Sequence, residues 1–98
     1  MILVKVSKKR IEIEGHAMYD DYGKDIVCSA VSSIVTTTIN GIISIDENAI
    51  SYSIKNDKMV IEVKKDDMVT LKLVDNMICL LKELSNNYPE NIKIKEGV

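Results

Sequence analysis

The spacing of the apolar residues constrains this fold more than any other feature, because it changes twice from every second residue to every third or fourth. Apolar residues alternate with other residues over 2–6 and again over 11–14, and the basic run 8–10 separates the two stretches. Alternation is typical of a strand with one buried face, and a short polar run between two such strands predicts a hairpin. We therefore expect the chain to begin with two antiparallel strands.

The stretch after Ile26 predicts a long helix. Val, Ile and Thr dominate residues 31–45, and their intrinsic preference favours a strand. We give more weight to the period, because no turn residue precedes Gly41 and because packing overrides propensity differences below about 0.7 kcal/mol per residue. The apolar residues with helical spacing are Val27, Ala30, Val31, Ile34, Val35, Ile39 and Ile42.

The second half of the chain repeats the first half in kind. Two alternating stretches flank a polar turn, a helical pattern follows a pair of aspartates, and a proline precedes a short alternating end. The predicted order is ββαββαβ, in an α+β fold: a two-layer sandwich with a mostly antiparallel sheet and two helices on one face. The stretches are 50–54 and 59–64 around the turn 55–58, a helix from Asp66-Asp67 to 86–87, and a strand at 92–94 after Pro89.

Composition limits the classes of protein to which the chain can belong. With 98 residues we expect a single domain over 1–98, and two cysteines are too few for a disulfide framework. We find no apolar run of the ~18 residues expected of a membrane span, and the start lacks the basic and apolar regions of a signal peptide. The net charge of -2 gives no reason to expect a polyanion as the main binding partner. We expect a cytoplasmic protein with no membrane and no direct nucleic-acid partner.

The single histidine and one of the two cysteines stand close in sequence, at His16 and Cys28. Asp25 is a good N-cap residue, and a helix that starts after it would put Cys28 at the third helical position. The free N–H groups and the positive dipole end there favour a thiolate and, with the N–H of Cys28 included, offer oxyanion donors. With His16 as base, the pair suits covalent catalysis. Spacing alone equally fits a surface histidine and a small core cysteine.

The residues around this pair suggest supporting roles. Gly15 and Gly23 bracket a polar segment, Ala17 to Lys24, which we interpret as a mobile loop that could act as a lid with hinges at the two glycines. Ser32 follows Cys28 by one helical turn on the same face. Its hydroxyl is either structural or hydrogen-bonds within the site.

Two other kinds of site are weighed and set aside. Metal binding by His16, Cys28, Asp20 and Asp21 is not predicted, because the ligand spacings of zinc sites are absent, and no cofactor is implied. Cys79 lies among apolar residues of the second helix. We expect it to serve core packing or a subunit contact rather than chemistry.

The string that carries these residues consists of Gly15-His16-Ala17, Tyr22-Gly23, Asp25-Ile26-Val27-Cys28, Ala30 and Ser32. It resembles the signature of the ribosomal-processing cysteine protease (Prp) family, and the length and order of elements are similar throughout. The resemblance implies a thiol endopeptidase with Cys28 as nucleophile, His16 as general acid and base, and Asp25 as a residue that orients the histidine. It also implies a homodimer that removes a short N-terminal extension from a large-subunit ribosomal protein. Ser29 departs from the pattern, in which Ala is common.

The main alternative is a noncatalytic ribosome-associated protein-binding module that keeps the fold and the groove. A third possibility is a structural domain in which neither Cys28 nor His16 matters. Rapid, stoichiometric alkylation of Cys28 near neutral pH favours the enzyme, whereas a thiol that titrates near its unperturbed pKa favours the binding module.

Overall fold

The computed structural model describes residues 1–15 and 22–97, and for 22–25 it describes the backbone alone. Over these ranges the predicted order ββαββαβ is confirmed. The elements are β1 (Ile2–Ser7), β2 (Arg10–Glu14), α1 (Tyr22–Ile45), β3 (Ile50–Lys55), β4 (Lys58–Val63), α2 (Met68–Asn87) and β5 (Ile92–Glu96).

The five strands form one sheet in the order β3-β4-β2-β1-β5. The prediction of a mostly antiparallel sheet is confirmed, since β5 pairs in parallel with β1 and the other pairings are antiparallel. The register places Ile13 of β2 beside Met59 of β4, and Met59 beside Ile54 of β3. These three apolar residues form a row across one end of the sheet, on the face that carries the core.

Both helices pack on that one face, as predicted. The segment α1 forms a helix, as its apolar period predicts, although its residues prefer strands. Burial of an apolar stripe outweighs small differences in propensity. Its buried residues are Val27, Val31, Val35, Ile39 and Ile42, and they share the core with Val74, Met77 and Leu81 of α2 and with Ile2, Val4, Ile11, Ile61 and Ile92 of the strands.

The expectation that no segment is apolar enough for a membrane span is wrong for α1. Its residues Ile26–Ile45 have a mean hydropathy of 1.7 over 20 residues and no charged side chain. Small hydroxyl side chains interrupt the apolar run without adding charge, so the run is easily overlooked. By length and composition this helix could cross a membrane, and core helices pass the same test. Here its buried stripe packs against the sheet.

The opposite face of the sheet carries charged side chains, and neither helix covers it. Lys5 and Glu14 form an ion pair at 3.4 Å, and Glu12 accepts from Lys58 at 2.7 Å and from Arg10 at 2.9 Å. The hydrogen bond from Lys58, followed by that from Arg10, lowers the pKa of Glu12 below its ordinary value. An apolar sheet face in need of a cover is therefore absent from the described strands.

Candidate functional site

Cys28 is half-buried in the second turn of α1, between the buried residues Val27 and Val31. The helix begins at Tyr22 and not after Asp25. The prediction that Asp25 is the N-cap, with Cys28 at the third helical position, is therefore wrong. An aspartate within the first turn is also stabilised by the positive end of the helix dipole, so the residue type alone does not distinguish the two positions.

The earlier helix start changes which backbone donors are free. Only the first four N–H groups of an α-helix lack a partner inside the helix. Cys28 lies beyond these four in α1, so its N–H belongs to the helical ladder, and the free donors among the described residues of α1 are those of 22–24. The expectation that the N–H of Cys28 serves as an oxyanion donor is therefore wrong for this conformation.

A cavity of about 180 Å³ opens beside Cys28 at the end of the sheet. Cys28 and Ser32 line it from α1, and Gly15 lines it from the end of β2. Ile54 and Met59 line it from the β3–β4 hairpin. The structure thus brings Ser32 and Gly15, both singled out from the sequence, to the same space as the Cys28 thiol.

A tight turn holds the hairpin tip at this cavity. Asn56 and Asp57 have φ values of 51° and 64°, the left-handed conformation that both central residues of a type I′ turn require. The predicted Asn-Asp turn is confirmed. Because the turn has two residues, Ile54 and Met59 pair directly across the hairpin close to its tip. Asp57 and Lys58 line the same cavity as Cys28.

Gly15 has a structural reason to be glycine. Its φ is +92°, and a Cβ at this position would clash with the carbonyl oxygen of Met1 at the start of β1. Residues with a side chain rarely adopt this φ, and here one would also meet backbone. The end of β2 is therefore held against β1 beside the cavity that Gly15 lines.

The predicted partner of Cys28 lies outside the described residues. His16 is the first residue of the 16–21 stretch, so the expected approach of its imidazole to the thiol stays a prediction. The predicted lid from Ala17 to Lys24 is wrong over its last three residues, because α1 includes them, and Gly23 lies in the first helical turn. The remainder of the lid also lies outside the described residues.

The apolar lining of the site is a feature that the sequence pattern does not reveal. A smaller cavity of about 100 Å³ lies deeper between α1 and the sheet. The alternating pattern within each strand assigns three apolar residues to the buried face: Ile13, Met59 and Ile54. Only the register between β2, β4 and β3 shows that these residues meet at the end of the sheet where Cys28 lies. The residues that line this smaller cavity are Ile13, Val31, Ser32, Val35, Thr36 and Met59.

The rest of the described chain offers no second cavity with a cysteine in its lining. Cys79 is an exposed free thiol, so the core-packing alternative for it is wrong and a subunit contact remains a prediction. A larger cleft of about 620 Å³ between α2 and β5 is bordered by the Lys82–Glu96 ion pair and contains no cysteine. Among the described residues, no three His, Cys, Asp or Glu side chains are grouped to hold a metal ion.

Comparison with known proteins gives the sequence matches. The family model described as cysteine protease Prp matches residues 1–93. The ribosomal processing cysteine protease Prp of Mycoplasma genitalium is 30% identical over 106 residues, which cover 98% of this chain and 96% of that protein. The protein of the same name from Mycoplasma pneumoniae is 29% identical, with 98% and 95% covered.

A solved structure shares the fold over its full length. It is the ribosomal processing protease Prp from S. aureus in complex with a covalently linked product peptide. It superposes with a TM-score of 0.89 and covers 99% of this chain and 100% of its own, at 22% sequence identity. At 22% identity the structural similarity shows only that the fold is shared. The match of the family model to residues 1–93 shows that the chain belongs to the family.

Proposed function

Because this chain belongs to the cysteine protease Prp family, we propose that it is an endopeptidase in which Cys28 is the nucleophile and His16 the general acid and base. The observation that carries the assignment is the shared cavity: Cys28 lines it, and so does Gly15, the residue before His16. Cys28 lines this space from α1, and Gly15, which lines it from the end of β2, directly precedes the proposed base. An imidazole that reaches the thiol from there would complete the pair of an activated nucleophile.

The proposed reaction proceeds in two steps. The Cys28 thiolate attacks the carbonyl carbon of the scissile peptide bond, the C–N bond breaks, and the imidazolium of His16 gives its proton to the leaving amine. The product of this step is a thioester on Cys28. Water, deprotonated by the neutral His16, then attacks the thioester and releases the new carboxyl terminus. The thiolate returns, and no other reactant is consumed.

Two residues are proposed to support this chemistry. Ser32 is exposed and lines the cavity one helical turn after Cys28, so its hydroxyl is available to hydrogen-bond a bound peptide. Asp25 lies in α1 about one turn before Cys28, and we propose that it orients His16. The free N–H groups at the start of α1, rather than that of Cys28, are the proposed backbone donors to the developing oxyanion.

The proposed substrate is a large-subunit ribosomal protein with a short N-terminal extension. The relatives from two Mycoplasma species are ribosomal processing proteases by name, and this chain aligns with almost their whole length. The proposal includes a cytoplasmic location, no cofactor, and no direct contact with nucleic acid. It also includes a homodimer, which the exposed apolar side chains Met68, Val69 and Leu80 on α2 would favour.

The experiment that tests the proposal is incubation of the protein with an N-terminally extended ribosomal protein, followed by intact-mass measurement of both partners. A protease releases the extension and turns over many substrates per molecule. The alternative, a noncatalytic ribosome-associated module, forms a stable complex and leaves the substrate mass unchanged. Sedimentation equilibrium on the same protein tests the homodimer, and a monomer mass at all concentrations would refute that part.

A further inference from the structure

The cleft of about 620 Å³ between α2 and β5 is separate from the cavity beside Cys28, and the two share no lining residue. Ile92 and Ile94 line the cleft from β5, and Ser85 and Asn86 line it from the last turns of α2. An edge strand thus forms one side of this cleft, and a helix forms the other.

The strand β5 has backbone groups that no described strand pairs with. The Ile2 amide donates to the Asn91 carbonyl at 2.8 Å, just before β5. The Gly97 amide donates to the Val6 carbonyl at 3.1 Å, just after it. The odd-numbered residues therefore face β1, and the even-numbered residues direct their N–H and C=O groups away from it, because these directions alternate along a strand. The N–H and C=O of Ile94 are open to an added strand.

The side chains of β5 divide between two surfaces. Ile94 is half-buried on the face that carries the helices, so a strand added here would place alternate side chains in the cleft. Lys93 and Lys95 are exposed on the other face, and among the described residues neither forms an ion pair. Lys95 also lies beside Lys5 in the register. An added strand would therefore meet apolar surface on one face and positive charge on the other.

This charge pattern disfavours a second copy of the chain as the occupant. Antiparallel pairing of two β5 strands over their whole length, centred on Ile94, would set Lys93 of each copy opposite Lys95 of the other. Like charges directly opposite each other in neighbouring strands are destabilising, and lysines on edge strands protect against such self-pairing. Carboxylates at the same positions would pair with the lysines instead.

From these observations we propose that the edge of β5 binds an extended segment of another protein in which acidic residues alternate with apolar ones. The segment adds a sixth strand to the sheet, as in other cases of recognition by strand addition. Its backbone bonds to Ile94, its apolar side chains enter the cleft beside α2, and its carboxylates pair with Lys93 and Lys95. The inference goes beyond the proposed function and does not depend on it.

Designed peptides test this site directly. The protein is the full chain with Cys28→Ala, so that no peptide is consumed. The fluorescent probes span the length of β5: in one Glu alternates with Val, in one Lys alternates with Val, and in one the Glu and Val residues form two separate blocks. The measured quantity is the Kd from fluorescence anisotropy. We expect the alternating Glu peptide to bind roughly tenfold more tightly than either of the others, or better.

Charge reversal locates the bound peptide on the sheet. Lys95→Glu reverses a charge on β5, and Lys55→Glu makes the same change at an exposed position of β3, the opposite edge. We expect Lys95→Glu to weaken binding of the alternating Glu peptide several-fold and to strengthen binding of the Lys peptide. Lys55→Glu should change either Kd by less than about twofold, because salt screens a distant charge.

Backbone methylation tests whether the peptide binds as a strand. One version of the Glu peptide is N-methylated at its Val residues and the other at its Glu residues, so that each blocks one edge of the extended chain. Only one edge of an added strand faces β5, and we expect one version to lose binding and the other to retain it. Equal affinity of the two versions would mean that the lysines attract charge alone, and strand addition would be refuted.

Other occupants of the cleft give different results. Equal binding of the alternating and block peptides, or a loss of binding with Lys55→Glu, would overturn the proposal. Dissociation of a homodimer by the Glu peptide in sedimentation would assign the cleft to a second copy, and binding of single-stranded RNA but of no peptide would assign the lysines to a polyanion. Either result would also overturn it. None of these outcomes bears on cleavage of a ribosomal protein, so the proposed function is tested separately.

Discussion

Gly15 and Cys28 line the same cavity, although Gly15 directly follows strand β2 and Cys28 lies inside helix α1. Gly15 is fixed there by its φ of +92° and by its contact with the backbone of Met1. The residue after it is His16, so the position of Gly15 sets where the proposed base leaves the sheet. Glycine at position 15 is therefore required by the backbone, and under the proposed mechanism we expect it to matter for activity as well.

Gly15→Ala should therefore lower stability and activity together. The Cβ would clash with the Met1 carbonyl oxygen, and alanine at this φ is strained, so we expect a loss of about 1 to 3 kcal/mol in the free energy of unfolding. Gly41→Ala is the matched control, because nothing lies within 4 Å of a Cβ built there and the site is helical. That change should stabilise by about 0.5 to 1 kcal/mol. Urea unfolding of both variants checks the opposite signs, and equal effects would contradict the close approach.

His16→Ala should slow formation of the thioester by about 10² to 10⁴, the usual contribution of a positioned acid–base group. The measurement is the single-turnover rate with excess enzyme, at several pH values. Loss of a titrating base should also flatten the dependence of this rate on pH near neutrality. A structural role alone would lower stability and leave the shape of the pH profile unchanged, and a change of less than threefold in rate would remove His16 from the mechanism.

A prediction about stability concerns the start of α2, where Asp67 caps the helix. Its carboxylate accepts from the Thr70 hydroxyl at 2.8 Å and from the Thr70 amide at 3.1 Å, and these bonds lower the pKa of Asp67 below its ordinary value. A lowered folded-state pKa gives stability that is fully present above the unfolded-state pKa and lost as the pH falls through the folded one. Asp67→Asn keeps a capping side chain and removes the titration.

The comparison of wild type with Asp67→Asn should therefore depend on pH in one direction. We expect wild type to be the more stable at pH 7, and the difference in melting temperature to shrink well below about pH 3.9, the ordinary value for aspartate. Thermal unfolding at both pH values measures it. A difference that stays constant would mean that the charge of Asp67 contributes nothing to the cap.

The order of helices and strands could be predicted because the spacing of apolar residues within each segment shows which of the two it forms. The stripe from Val27 to Ile42 is such a case, and the burial of these residues confirms it. The start of α1 could not be predicted from Asp25, because an aspartate is favourable both at a cap and within the first turn, and the difference between these positions is small.

The lining of the site was beyond prediction for a different reason. Ile13, Met59 and Ile54 meet only because β2 pairs with β4, and that pairing joins strands from the two halves of the chain. The alternation of apolar and polar residues along one strand assigns each residue to a face of the sheet. It does not indicate which end of the sheet the helix leaves open. Cys28 and Ser32 were found from residue type and spacing, whereas their apolar surroundings depend on long-range register.

In the proposed mechanism Cys28, and not the second thiol, attacks the peptide bond. The most direct measurement is the rate of release of the N-terminal extension from a ribosomal protein, compared between Cys28→Ala and Cys79→Ala, with circular dichroism to verify folding. Cys79 is exposed on α2 and outside the cavity, so its variant should retain turnover. We predict no detectable product with Cys28→Ala at an unchanged fold. Equal rates for wild type and Cys28→Ala would contradict the account.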